Sequence, residues 1–312
     1  MKRLASLVAF FVASALAGAQ TEWVIVPGAG GDPQYQAEFD EQVKRWTDVA
    51  NAAGVDSRVI PATEESRGAL RRMLEQLPKD GDDLWLVLIG HGTFDGRDAK
   101  FNLVGDDITA KELGEWLKPF HRRVVVLGFF SASGAFFPEI AGPNRVVLTS
   151  TKSGGERNYS RFGSHFAASL QDPDADLDGD GITSLLDLAR FANDQMVASY
   201  EKDKRIVLEH ALLDDNGDAV GTEIRAIKHS HPPEVDHEGR AVDGAVAAEL
   251  TLSRETRKIP PEFRERRAAI EERLRELRAH RNEMNERRYF NELEALLLEM
   301  AALYDTLEPQ AE

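Results

Sequence analysis

The residues from Asp176 to Asp187 (Asp-Leu-Asp-Gly-Asp-Gly-Ile-Thr-Ser-Leu-Leu-Asp) place four carboxylates where one hard cation could gather them. Asp176, Asp178 and Asp180 fall at positions 1, 3 and 5 of the EF-hand loop spacing, Gly181 at the tight-turn position 6 and Asp187 at position 12. Ile182 would lend its backbone carbonyl from position 7, and Ser184 would hold a bridging water. Carboxylates this close repel unless a cation neutralises them, so the expected cofactor is Ca²⁺ in a structural role. Position 12 is the shorter Asp, and Thr183 stands at position 8 where an apolar residue is usual. A plain acidic turn therefore stays open.

Two other groups of chemistry-bearing residues close buried strands. LWLVLIGHG, Leu84 to Gly92, is an apolar run that delivers His91-Gly92 at its end. RRVVVLGFFSASG, Arg122 to Gly134, ends on Ser131-Ala132-Ser133-Gly134. Ligands and chemistry collect outside the carboxyl ends of strands in an open parallel α/β sheet, and both groups belong there. Two weaker clusters follow. Asp214, Asn216 and Asp218 have a calcium-like spacing, but Ala219 stands where the glycine belongs, so a β-turn through Asn216-Gly217 is expected. His229, His231 and His237 with Asp236 offer zinc donors in a Pro-interrupted loop without helical spacing.

The elements that must position these residues alternate between strand and helix. EWVIVPGAGGDPQY reads as a strand entering a glycine-rich turn, although Gly28, Gly30 and Gly31 lack the dinucleotide fingerprint spacing. An amphipathic stretch covers Gln36 to Ala53, a short strand Ser57 to Ile60, and a helix Glu64 to Leu77. Thr109 with Glu112 forms a capping box that opens a helix, and another strand spans Arg145 to Ser150. Helices from Arg161 to Gln171 and from Ser184 to Tyr200 would flank the acidic loop. Strands alternating with helices imply right-handed crossovers and a mainly parallel sheet covered on both faces.

The ends of the chain read differently. Lys2 and Arg3, the apolar Leu4 to Leu16 and Ala17-Gly18-Ala19 compose a signal peptide, residues 1–19, so an exported protein, periplasmic or extracellular, is expected. There is no cysteine, which excludes disulfides, thiolate metal sites and a thiol nucleophile. The formal charge of −16 argues against nucleic acid or anionic membrane as partner, and no later segment is long and apolar enough to cross a bilayer. The span 229–258 reads as a connecting segment with one strand, Val246 to Leu252. Residues 259–308 read as a helical hairpin. Phe263, Ile270, Leu274, Leu277 and Met284 form one apolar stripe, Leu293, Leu297, Met300, Tyr304 and Leu307 the other, and Asn282 to Asn285 the turn.

From Trp23 to Gly217 the order of features resembles the legumain-like branch of the caspase-fold peptidases. VIVPGAGGDPQYQAEFD is similar to that family's first strand and turn, LIGHG to its His-Gly motif, DDITAKELGEWL to the helix after it, and FFSASG to its Cys turn, usually Glu-Ala-Cys-Glu-Ser-Gly. The separation of 40 residues between His91 and Ser131 is shorter than the roughly 50 of caspases. The resemblance implies a caspase-like three-layer αβα sandwich over residues 20–228, with peptide or protein as ligand. It puts Ser131 at the nucleophile position, Ser133 as the fallback, His91 as base and the Gly92 backbone N–H at the oxyanion. It also puts Lys152, Glu156, Arg157 and Asn158 beside the cleft, although a charged cluster between glycines also describes a solvated loop.

A hydroxyl is far less acidic than a thiol and needs a close base, a group orienting that base and oxyanion donors. Asp95 and Asp98 are near His91 in sequence only. The leading expectation is a pseudopeptidase that binds peptide without cysteine-dependent hydrolysis. A serine hydrolase working through Ser131 and His91, a purely structural role for both residues, and a scaffold acting through the C-terminal hairpin are the alternatives.

Overall fold

A computed structural model describes residues 21–306, apart from 180, 237, 253–262, 264–265, 268, 271–272, 275–276, 278–280 and 282–283. Residues 1–19, expected to be a signal peptide, and Asp180, His237 and Leu307 lie outside the described residues.

Seven strands form one sheet in the order β10-β9-β8-β7-β3-β1-β2. β1 (Glu22–Pro27), β2 (Asp56–Val59), β3 (Leu84–Ile89), β7 (Val124–Phe129) and β8 (Arg145–Thr149) run parallel. β9 (Leu212–Asp214) and β10 (Thr222–Glu223) extend the sheet antiparallel. Every residue of β3 and of β7 is buried, as their unbroken apolar runs require in a sheet covered on both faces.

Alternation along the strands sends side chains into two layers. Trp23, Ile25, Trp85, Val87, Val125 and Leu127 face α1 (Pro33–Ala53), α5 (Phe162–Ser169) and α6 (Leu185–Lys202). Val24, Val26, Leu86, Leu88, Val124 and Val126 face α2 (Ser66–Gln76), α3 (Ala110–Leu117) and α4 (Phe137–Ile140). Local chemistry sets the helix ends. Asp32 accepts the Gln34 N–H and Pro33 starts α1, Gly54 ends it at φ 63°, and both arms of the Thr109/Glu112 capping box open α3.

The sequence gives little warning of a small antiparallel sheet, β4 (Gly92–Phe94), β5 (Ala99–Phe101) and β6 (Ile108–Thr109), inserted directly after His91. Its strands are two or three residues long, and Phe101 and Ile108 join the core beneath them. In place of a tight turn, a loop joins β9 to β10, with Gly217 at φ 79° and Ala219 at φ 62°, and the Asp214 and Asn216 side chains accept the Gly217 and Asp218 N–H groups.

Residues Val246 to Leu252 are not a strand. Ala245–Glu249 form helix α7, because the buried Asp215 carboxylate accepts the Gly244 and Ala247 N–H groups at 2.8 and 2.7 Å. Only Thr251 makes a bridge, to Ser184, while Ala247, Ala248, Leu250 and Leu252 enter the core.

Glu286–Asp305 form a C-terminal helix capped by Asn285. Leu296 and Leu303 are buried with Phe263, Ile270 and Leu277, and Leu293, Met300 and Tyr304 pack at the margin. Leu297, expected in the stripe, is 52% exposed. Within the run ALLLEM two helical faces compete, and packing selects the one centred on Leu296 and Met300. No described helix is long and apolar enough to cross a membrane.

Candidate functional site

Strand register brings the two sequence-distant turns together. Ile89 at the end of β3 pairs with Phe129 at the end of β7, so His91 and Ser131, each two residues further on, leave the same edge of the sheet. The backbone of Asn102, just after β5, accepts the Ala29 N–H at 3.0 Å and donates to the His91 carbonyl at 2.9 Å, stitching the glycine-rich turn to the His91 segment. The approach is too close for a side chain: a Cβ on Gly28 would stand 2.6 Å from the Asn102 oxygen.

The ring of His91 sits among Tyr35, Phe39 and Tyr159, with centroids 4.9, 5.1 and 6.0 Å away. Burial pushes its pKa below the ordinary histidine value, and the backbone of Gly30 acts in the opposite direction. This aromatic surround of His91 is a tertiary feature that side-chain reading missed. Asp95 instead accepts the Arg97 and Asp98 N–H groups, both at 2.8 Å, and shapes its own turn.

Ser131 is only 3% exposed. Its hydroxyl accepts the Gly92 N–H and donates to the Gly92 carbonyl, both at 3.1 Å. The N–H expected to face an oxyanion is thus occupied by the expected nucleophile, and the hydroxyl proton points at a carbonyl rather than at a base. Ser133 is fully buried and bonded to Thr151 through its hydroxyl at 3.1 Å and the Thr151 N–H at 3.2 Å. That burial removes it as a fallback nucleophile.

Of the four loop residues expected at the cleft, three have structural work. Glu156 accepts the Lys152 N–H at 3.0 Å, the His210 N–H at 3.0 Å and His210 Nδ1 at 2.6 Å. Lys152 also reaches Glu223 at 3.4 Å, and Arg157 donates to the Gly154 carbonyl at 3.3 Å. Asn158 lines a cavity of about 550 Å³ with Tyr35, Tyr159, Arg161, Tyr200 and Arg205. Tyr35 and Tyr159 belong both to this wall and to the surroundings of His91. Beneath it the buried Glu209 accepts from Ser160 and from the Arg161 and Phe162 N–H groups at the start of α5. Burial raises its pKa above the usual glutamate value.

The acidic loop lies elsewhere, between α5 and α6. Asp176 accepts the Gly181 N–H at 2.7 Å, and Gly179 and Gly181 sit at φ 70° and 78°. Ser184 caps α6 in a reciprocal box with Asp187 rather than standing ready to hold a water. One oxygen of Asp187, Oδ1, is buried with no hydrogen-bond partner among the described residues, a feature that fits a cation ligand. Among the described residues no group of three or more acidic or histidine side chains already converges as a metal cage. Of the described residues in the histidine cluster, His231 pairs with Asp178 at 2.8 Å and Asp236 takes Arg240 at 2.7 Å.

The domain so defined is a mainly parallel α/β sheet flanked by helices, with a His/Ser pair at its carboxyl edge. No known family profile and no curated protein matches the chain. Among solved structures it is similar to the Drosophila initiator caspase Dronc, at 12% identity over 59% of this chain and 78% of that one, with a TM-score of 0.40. Caspase-1 from Spodoptera frugiperda aligns at 12% identity over 58% and 76%, with a TM-score of 0.36. A protein from Geobacter sulfurreducens aligns at 13% over 49% and 82%, with a TM-score of 0.37.

Proposed function

We propose that this is an exported protein of the caspase-like, legumain-type peptidase fold that binds peptide or protein segments and does not hydrolyse them. The observation that carries the reading is the closed pair of hydrogen bonds between Ser131 and Gly92. A serine nucleophile needs its proton on a base and a free donor for the oxyanion, and here one hydroxyl occupies both partners of Gly92. The cavity beside His91 supports a binding role, since its tyrosines offer apolar faces and Asn158, Arg161 and Arg205 offer polar ends. Export rests on the composition of residues 1–19.

The test is turnover of a mixed fluorogenic peptide library, in calcium, by the purified chain and by its Ser131→Ala and Ser131→Cys forms, with peptide binding followed by anisotropy. The expected result is binding without turnover in the native chain, weakened by Tyr35→Ala. Native turnover that disappears in Ser131→Ala would overturn the reading and establish a serine hydrolase. Binding that survives Tyr35→Ala but disappears on deletion after Ile259 would instead favour the hairpin as scaffold, a reading supported by the half-exposed Phe290 and Leu297 on the C-terminal helix.

A further inference from the structure

The acidic loop and the C-terminal helical segment meet at residues that serve both. Asp187 is 3% exposed; its Oδ2 accepts the Ser184 hydroxyl and N–H at 2.6 and 3.2 Å, while Oδ1 has no hydrogen-bond partner among the described residues. A desolvated carboxylate oxygen without a donor is costly, and a hard cation shared with the carboxylates at loop positions 1 and 3 relieves it. The αL turns at Gly179 and Gly181 and the Asp176 bond to the Gly181 N–H already fold the loop back on itself.

The same loop is where the C-terminal segment takes hold. Asp178 Oδ2 pairs with Arg267 at 3.2 Å as well as with His231 at 2.8 Å, and Arg267 is only 5% exposed. The Tyr304 hydroxyl donates to the Asp178 carbonyl at 3.4 Å. Ile182, whose carbonyl stands at loop position 7, packs its side chain into the cluster of Phe263, Ile270 and Leu303.

We propose that Asp176, Asp178, Ile182 and Asp187 form a Ca²⁺ site whose filling fastens the C-terminal helical segment to the α/β domain. Asp178 is the coupling residue, since a carboxylate can give one oxygen to a metal and the other to a guanidinium, each fixing the geometry the other needs. Ile182 couples through its backbone on one side and its side chain on the other. Coupling of this kind is reciprocal: the docked segment raises Ca²⁺ affinity by the factor by which Ca²⁺ favours docking. The inference is independent of any activity at Ser131.

The test is Ca²⁺ titration of the whole purified chain by calorimetry, with Mg²⁺ as control, beside tryptic mapping of residues 259–306 with and without Ca²⁺. One Ca²⁺ per chain is expected, with Asp187→Asn weakening it at least about tenfold. Arg267→Gln and Tyr304→Phe supply no ligand, yet each should weaken Ca²⁺ by roughly fivefold or more. Ca²⁺ should slow cleavage of the segment in the native chain and not in Asp187→Asn. Circular dichroism establishes that each variant is folded, and Tyr304→Phe, which removes one hydroxyl, guards against misfolding of Arg267→Gln. No Ca²⁺ binding at about 5 mM overturns the site. Binding that neither Arg267→Gln nor Tyr304→Phe weakens, or cleavage indifferent to Ca²⁺, overturns the coupling.

Discussion

Ser131 and Gly92 hold each other through two reciprocal hydrogen bonds of 3.1 Å between a side chain and a backbone 39 residues away. Each bond closes a buried backbone group left over at the point where β3 gives way to the inserted sheet. Removing the hydroxyl leaves the Gly92 N–H and carbonyl without this partner, so Ser131→Ala should lose about 1–3 kcal/mol of stability. Urea unfolding of the two forms measures this directly. An unchanged midpoint would show that the bonds contribute nothing to the fold.

Gly92 tolerates no side chain. A Cβ there would lie 2.3 Å from the Ser131 carbonyl oxygen and 2.5 Å from Phe130 Cδ2, whereas at Gly155 the nearest atom is Ser153 Oγ at 3.4 Å. Gly92→Ala should therefore cost on the order of 1–3 kcal/mol or more through overpacking, and Gly155→Ala less than about 0.5 kcal/mol. Parallel thermal melts of the two variants check the contrast.

Glu156 binds His210 twice, through the ring and through the backbone N–H, and this pins the loop after β8 to the strand β9 region. A glutamine has one acceptor oxygen where the carboxylate has two. Glu156→Gln is expected to cost about 1–3 kcal/mol and to speed amide hydrogen exchange at Lys152 and His210. Exchange rates that stay unchanged at both amides would rule out the pinning role.

Asp243 is buried, and that burial, reinforced by Asp215 and Asp214, raises its pKa to about 6 from the ordinary 3.8. The folded state thus binds a proton that the unfolded state releases, so the contribution is complete below about pH 4 and is lost as pH rises through 6. Asp243→Asn removes the charge and can keep contacts with the Asp215 N–H and the Thr222 hydroxyl, the latter with its direction reversed. The variant should melt a few degrees above the native chain at pH 7.5, with the gain shrinking towards pH 4. Melting curves at the two pH values decide it.

Much of the scaffold was legible because it is written locally. The runs VVVLGF and LWLVLI are apolar at every position, and that pattern fits a strand buried on both faces. Thr109 and Glu112 are three residues apart, and the box they form needs nothing outside α3. The β4-β5-β6 insertion was not legible, since strands of two or three residues carry no usable period and are fixed by Phe101 and Ile108 entering the core. Helix α7 was read as a strand because its start is capped by Asp215, a partner 29 and 32 residues away from the two amides it holds.

By itself the sequence determined that His91 and Ser131 end buried strands, that no thiol is available, and that the acidic loop carries the spacing of a hard-cation site. These follow from residue type and near-neighbour order, which fix hydrophobic burial, turn chemistry and charge density. Tertiary structure alone decided where the hydroxyl of Ser131 sends its proton, that Tyr35, Phe39 and Tyr159 surround the His91 ring, and that Arg267 and Tyr304 reach Asp178. Hydrogen bonds and ion pairs are satisfied by whichever group the packed elements bring within about 3 Å, and for these residues that group is set by sheet register and helix docking.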